Sequence, residues 1–252
     1  MSKRAQGMFY LIATVVCLIP VTAVSQTVTL QLKNPPSNNV MDGIYVGSYS
    51  ANNLTSGGTT QVTCDDFKDD SDSNVATYTT NSFDNLGSTL WGGTLLKAGD
   101  TLAQVTSLYD EAAWLTLGML KLTGTTQAYY SFAIWATFDP GDVASWLTSY
   151  ADSGACNAVF GAGSWAGGKC SVGKGGLIGL AASQTFTAGE FSNVNILTPL
   201  GCSLPGTCKE QEFFQVVPEG GTALLYLLLV GATCFGAIML RSRQRGEARI
   251  AA

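Results

Sequence analysis

Charge is segregated along this 252-residue chain, and that segregation limits what its parts can fold into. Every arginine lies close to one end of the chain, namely Arg4, Arg241, Arg243, Arg245 and Arg249. The stretch 26–216 has seven lysines against sixteen acidic residues, a net charge of −9. An acidic stretch of about 190 residues has the size of one domain. It lacks the clustered cations that phosphate backbones require, so we expect no nucleic-acid partner.

Histidine is absent from the whole chain. Its absence excludes Ser-His-Asp and Cys-His nucleophile systems and histidine-ligated zinc within this chain.

The first 25 residues have the pattern of a secretory signal peptide. Lys3 and Arg4 precede an apolar run over 8–21, and small residues at Ala23 and Ser25 stand before Gln26. This order predicts export through the Sec machinery with cleavage after Ser25. A retained membrane anchor is the alternative.

The other end carries an uncharged apolar run over 222–240. As a helix its 19 residues would span about 28 Å, the thickness of one bilayer core. The basic cluster Arg241, Arg243 and Arg245 follows at once and would stay on the cytoplasmic side of the inner membrane. The sequence thus predicts a C-terminal transmembrane helix, with the acidic stretch outside the cytoplasm.

The residues before that run suggest a family. Val217, Pro218, Glu219, Gly220 and Gly221, followed by the apolar run and the arginines, resemble the PEP-CTERM sorting signal of Gram-negative bacteria, in a Val-Pro-Glu-Gly-Gly variant. The resemblance implies processing by an exosortase-like enzyme near Pro218 and Glu219, within a sorting region over 217–252. It also implies delivery to the cell surface or extracellular matrix, with exopolysaccharide or other surface proteins as partners. A plain single-pass anchor is the alternative.

The exported stretch 26–216 is expected to have an α+β fold. Apolar and polar residues alternate in four β-branched or aromatic runs near its start, which indicates strands. The spacing then changes to three and four residues, which indicates two or three helices within 101–150 before a return to strand. The predicted strands cover 28–32, 44–49, 59–63, 75–79, 191–197 and 213–217, and the predicted helices cover 101–122, 128–138 and 142–150. A glycine-rich loop is expected over 161–179.

Five cysteines lie outside the two apolar ends. Cys202 and Cys208 flank a turn, and Cys156 and Cys170 bracket part of the glycine-rich stretch. In an oxidising compartment these two local disulfides are the simplest pairing. Cys64 is then left over.

Cys64 and the run Phe132–Trp135 give a second, weaker resemblance, over 43–140, to bacterial surface thioester domains. In that family a cysteine bonds to a later glutamine beside an Ala-Ile-Trp helix. Ser131 occupies the glutamine position here, and Gln127 lies one helical turn earlier. The resemblance implies either an adhesin with a Cys64–Gln127 thioester or a related scaffold without that bond.

Acidic residues suggest two further sites. The run Asp65, Asp66, Asp69, Asp70 and Asp72 offers hard oxygen ligands for calcium, the only cofactor that the sequence suggests, with a solvated acidic loop as the alternative. Carboxylate pairs that would suit a secreted hydrolase are Asp110 with Glu111 and Asp139 with Asp142. The preferred prediction is a non-enzymatic exported surface or matrix protein with a structural or adhesive role. The covalent adhesin and the hydrolase are the alternatives.

Overall fold

A computed structural model describes residues 26–69, 75–217 and 231–233. Its ten strands are β1 Gln26–Leu32, β2 Asn39–Met41, β3 Ile44–Val46, β4 Ser48–Asn53, β5 Thr59–Cys64, β6 Val75–Asn81, β7 Trp165–Ala166, β8 Lys169–Cys170, β9 Val194–Pro199 and β10 Phe213–Val216. Six of them close into an antiparallel barrel in the order β1-β4-β5-β10-β9-β6. The pairs β2-β3 and β7-β8 form two separate hairpins.

The helices lie between β6 and β9 in the chain. They are α1 Leu90–Ala98, α2 Leu102–Met119, α3 Gly124–Phe138, α4 Pro140–Ser149, α5 Ser153–Phe160 and α6 Gly176–Ala182, and a 3-10 helix over Phe83–Ser88 precedes them. The start of α2 is set by a capping box, in which the Thr101 hydroxyl accepts from the Gln104 backbone and the Gln104 side chain accepts from the Thr101 backbone. The Asp139 carboxylate caps α4, with Pro140 in its first turn.

Helix α3 lies at the centre of the molecule. It packs against α2, α4, α5 and α6, and also against β2, β3 and β5 of the β-rich part. Its side chains are buried on several faces, among them Phe132, Ile134 and Trp135. A helix that is apolar around most of its surface has to be enclosed on all sides, which explains its central place.

The predicted α+β class is confirmed, and every strand and helix predicted within 26–216 overlaps an element of the structure. The helices α1, α5 and α6 were not predicted, because each has fewer than ten residues and gives a weak periodic signal. Helix α6 lies partly within the predicted glycine-rich loop, where Gly176, at φ +58°, begins the helix. Short helices of this kind are stabilised by tertiary packing more than by their own propensity.

The structure corrects one part of the predicted fold, the C-terminal transmembrane helix. Among residues 26–69, 75–217 and 231–233, no helix is long and apolar enough to cross a membrane. An uncharged run is a property of side chains, whereas a span also requires an unbroken helix of about 20 residues. Of the run 222–240, only residues 231–233 belong to the described chain.

Candidate functional site

The most unusual chemistry of the domain is a group of buried carboxyl side chains where β5 ends and β10 begins. Asp65 and Asp66 follow β5 directly, Asp69 comes three residues later, and Glu212 precedes β10. The Asp65 backbone N–H donates to the Glu212 carbonyl at 3.3 Å, which extends the β5-β10 pairing by one residue. All four residues are at most 4% exposed.

Glu212 is surrounded by hydrogen-bond donors. Its Oε2 accepts from the backbone N–H of Leu90, the first residue of α1, and from the Thr198 hydroxyl, both at 2.6 Å. Its Oε1 accepts from the Tyr109 hydroxyl at 2.8 Å. Burial raises the pKa of Glu212, while the three donors and the N-terminus of α1 act in the opposite direction and favour its ionised form. Glu212 is therefore the member of its pair that carries the negative charge.

Asp65 is the partner of Glu212 in an acid–carboxylate pair. As a carboxylate, Asp65 would bury two oxygens without any donor. As a carboxylic acid, it can share its proton with the Glu212 carboxylate, which also contributes to its raised pKa. Burial, together with the negative charge of Glu212, raises the pKa of Asp65 well above its usual value. The proton therefore lies on Asp65, and the two groups titrate as a coupled pair.

Asp66 and Asp69 form a second pair of the same kind. The Asp69 carboxylate accepts from the backbone N–H groups of Gly206 and Cys208, each at 3.0 Å. Burial, followed by the hydrogen bond to Asp69, raises the pKa of Asp66 to about 8. Asp66 is thus the protonated member, and this pair holds the loop after β5 against the loop around Cys208.

The alternative of a solvated acidic loop is wrong for Asp65, Asp66 and Asp69, because all three are buried. In the described chain, no three acidic or cysteine side chains are grouped so that they could hold a metal ion. Asp70 and Asp72 lie outside the described residues. Glu212 was not singled out from the sequence, since nothing in its local pattern shows that it pairs with Asp65.

Cys64 lies beside this group at the end of β5. Its carbonyl accepts from the Trp135 indole N–H at 3.0 Å, so the structure brings the two motifs of the thioester-domain resemblance into contact. The Cys64 thiol is free and 1% exposed, and it donates to the Asp66 carbonyl at 2.8 Å. Burial and the nearby aspartates raise the pKa of the thiol well above its usual value, which makes it a poor nucleophile.

Gln127 lies two helical turns before Trp135 on α3, which is about 12 Å along the helix axis. Its side chain covers Gly47, where a β-carbon would lie 2.6 Å from the Gln127 amide oxygen. Ser131, between them, accepts from the Gly47 backbone N–H at 2.7 Å. Gln127 thus packs against Gly47, the residue before β4, and Ser48 of β4 pairs with Thr63, next to Cys64. The Cys64–Gln127 thioester stays a prediction.

The carboxylate pairs of the hydrolase alternative are also described. Asp139 and Asp142 both contact Lys68, whose Nζ lies 2.7 Å and 3.4 Å from their carboxylates, and Lys68 also lies over the Trp91 ring. The pair is thus held by a cation and serves to attach the loop after β5 to the start of α4.

Asp110 and Glu111 are successive residues of α2 and have different surroundings. Burial, with a smaller effect from Glu190, raises the pKa of Asp110 to about 6. Glu111 instead accepts from the Ser107 hydroxyl at 3.2 Å. Successive helical residues do not face one another, so these two do not form a catalytic pair.

Both predicted disulfides are present. Cys156 pairs with Cys170 and Cys202 with Cys208, with Cα atoms 5.7 Å apart in each case. The first joins α5 to β8, and the second closes the turn whose backbone N–H groups bind Asp69. Of the sorting motif only Val217 is described, and its backbone N–H donates to the Asn193 carbonyl at 2.8 Å.

The rest of the sorting region lies outside the described residues, including Pro218, Glu219, Gly220 and Gly221 as well as Arg241, Arg243 and Arg245. The predicted processing therefore stays a prediction. Comparisons with models of known protein families, with curated proteins and with solved structures find no match to this chain.

Proposed function

We propose that this chain is an exported cell-surface or matrix protein whose domain over 26–216 has a structural or adhesive role. The observation that carries the proposal is the pair of disulfides, Cys156–Cys170 and Cys202–Cys208. Disulfides persist in oxidising compartments and are rare in the reducing cytosol. They agree with the signal-peptide pattern over 1–25 and with the sorting motif that begins at Val217.

The carboxyl pairs support a structural role for the most unusual part of the domain. Glu212 and Asp65 are fully buried, so a substrate in solution has no access to them. Their contacts instead join β5, β10, α1 and α2 through Leu90 and Tyr109. The donors around Glu212 occupy both of its oxygens, and a hydrogen-bonded buried group of this kind favours one arrangement of the surrounding core.

Counting free thiols tests export and processing together. After denaturation without reductant, the exported protein should expose Cys64 alone to an alkylating reagent. Cys17 would be removed with the signal peptide and Cys234 with the tail, and the other four cysteines are bonded. Mass spectrometry of the alkylated protein gives the count. Two labels would show that the tail is retained, and labelling of all four disulfide cysteines would refute an oxidising location.

The sorting motif is tested by the double substitution Pro218→Ala and Glu219→Ala. We expect the variant to keep its tail and to remain with the cell membrane fraction, because proline keeps the segment extended for a processing enzyme. The exposed Lys209→Ala, a few residues before the motif, is the control and should be released like the parent protein. Equal release of both variants would contradict recognition at this motif.

A further inference from the structure

Two adjoining depressions lie on the face where β2, β3 and β4 meet α3, and Pro36 lines both. The first has a volume of about 160 Å³ and is lined mainly by the aromatic side chains of Tyr45, Tyr49, Phe67 and Trp135. The second, of about 540 Å³, is lined by amide and hydroxyl side chains. We call the two together the Pro36 groove.

The aromatic end has the size and shape for one flat ring. A cavity of roughly 150 Å³ with apolar walls accommodates a six-membered carbon ring. The ring centroids of Phe67 and Trp135 are 5.2 Å apart, and Trp146 holds Phe67 edge-on from behind. Tyr45 is 39% exposed, so it offers its ring to an incoming molecule.

The polar end offers hydrogen-bonding groups that nothing else uses. Within the described part of the chain, the side chains of Lys33, Asn38 and Gln127 have no hydrogen-bond or ion-pair partner, and all three line this end. The Gln61 amide bridges Ser48 and Ser50, at 2.8 Å and 2.9 Å, which fixes the floor between them. Free amides both donate and accept, as sugar hydroxyls do.

The wall between the two ends is already in place. Lys33 donates from its backbone to the Ser50 carbonyl, and the Ser50 N–H donates to the Pro36 carbonyl, each at 2.8 Å. The Ser37 hydroxyl donates to the Val46 carbonyl at 2.7 Å. These three bonds attach the segment after β1 to β4 and β3, so a ligand need not order it on binding.

The charge of the groove differs from that of the domain. The stretch 26–216 has a net charge of −9, yet none of the described residues that line the groove is acidic, and Lys33 is the one charged group among them. A cationic ligand would find no carboxylate there.

We propose that the Pro36 groove binds an uncharged segment of a polysaccharide chain. One sugar ring lies with its flat C–H face against Tyr45 and Phe67, and the following units extend past Pro36 toward Gln127 and Asn38. The inference deepens the proposed function, since an exported protein meets polysaccharide at the cell surface, and it rests on that location.

Binding is tested on the purified full-length protein, so that the result does not depend on export. The probes are neutral hexasaccharides of cellulose, β-1,3-glucan, mannan and xylan, with oligogalacturonate and an uncharged glycine-serine peptide for comparison. Tryptophan fluorescence and titration calorimetry follow binding, because Trp135 forms part of the aromatic end. We expect at least one neutral hexasaccharide to saturate the protein below about 10 mM.

Variants then locate the bound chain. Tyr45→Ala should weaken binding about tenfold, whereas Tyr45→Phe keeps the ring and should bind like the parent. Gln127→Ala should weaken binding several-fold. Gln184→Ala removes a glutamine from a depression that shares no residue with the groove and should change nothing. Far-ultraviolet circular dichroism confirms that each variant is folded.

Several results would overturn the proposal. These are no binding of any neutral hexasaccharide at about 10 mM, or equal binding by the parent, Tyr45→Ala and Gln127→Ala. Preference for oligogalacturonate or for the peptide would equally reject an uncharged polysaccharide as the ligand. None of these outcomes bears on export, which the thiol count and the Pro218 and Glu219 variant decide separately.

Discussion

The buried pair Asp65–Glu212 makes a quantitative prediction about the substitution Asp65→Asn. Asparagine has nearly the same shape and donates through its amide, so it can replace the hydrogen bond that protonated Asp65 makes to Glu212. It does so without holding a titratable proton. The variant should therefore fold normally, but its stability should depend less on pH than that of the parent protein.

The magnitude follows from proton linkage. In the unfolded chain Asp65 and Asp66 lose their protons near pH 4, whereas the folded protein keeps them because both pKa values are raised. The folded state thus binds more protons, and raising the pH through this window favours unfolding. Each retained proton lowers the free energy of unfolding by about 1.4 kcal/mol per pH unit. Asp65→Asn removes one of the two.

The pH window in which the two proteins are best compared begins at about pH 6. Below it, Asp42 and Asp110 also change the stability with pH, because their pKa values are raised to about 6, mainly by burial. The window ends near pH 8, where Asp66 titrates. Between about pH 6 and 7.5, Asp65→Asn should gain about 2 kcal/mol in stability relative to the parent. The other titratable groups around Asp65, namely Glu212, Tyr109 and Cys64, are common to both proteins.

Urea unfolding followed by tryptophan fluorescence measures this difference at a series of pH values. Asp84→Asn is the control, because Asp84 is an exposed aspartate and its replacement should leave the pH dependence parallel to that of the parent. Parallel curves of the free energy of unfolding against pH for the parent and Asp65→Asn would refute the assignment of the proton to Asp65. This holds whether the variant is as stable as the parent or less stable at every pH.

Three other predictions concern the cysteines and their surroundings. The native protein should show no loss of one ammonia in its intact mass, and methylamine should not add to it, because the buried Cys64 thiol donates a hydrogen bond to the Asp66 carbonyl and its pKa is raised, mainly by burial. A mass lower by ammonia would restore the thioester. Replacing both Cys156 and Cys170 by serine should lower the free energy of unfolding by about 3 kcal/mol, the value for a loop of this length, and an unchanged urea midpoint would contradict it. Trp135→Phe should lower the free energy of unfolding by about 1–3 kcal/mol, because it leaves the buried Cys64 carbonyl without a donor. Trp114→Phe, at a partly buried position, is the control and should lower it by less in the same urea titration.

Local sequence patterns were sufficient to predict the main elements of the domain. The alternation of Val28, Leu30 and Leu32 predicts β1, and these three residues face the core. Thr101 and Asp139 have the chemistry of helix caps, and α2 and α4 begin after them. The apolar run over 222–240 shows the weakness of the same approach, since hydropathy without a described helix does not establish a span.

The sequence by itself determined the elements that depend on near neighbours: strands, capped helices and the pairing of cysteines 6 and 14 residues apart. Only the tertiary structure decided what the acidic residues do, because closure of the barrel brings Asp65 to Glu212 and Asp69 to Cys208 across about 140 residues of chain. Burial then makes the separate ionisation of neighbouring carboxyl groups costly, so they share protons. Asp65, Asp66 and Asp69, for which the sequence left a solvated loop open, are buried in the core for that reason.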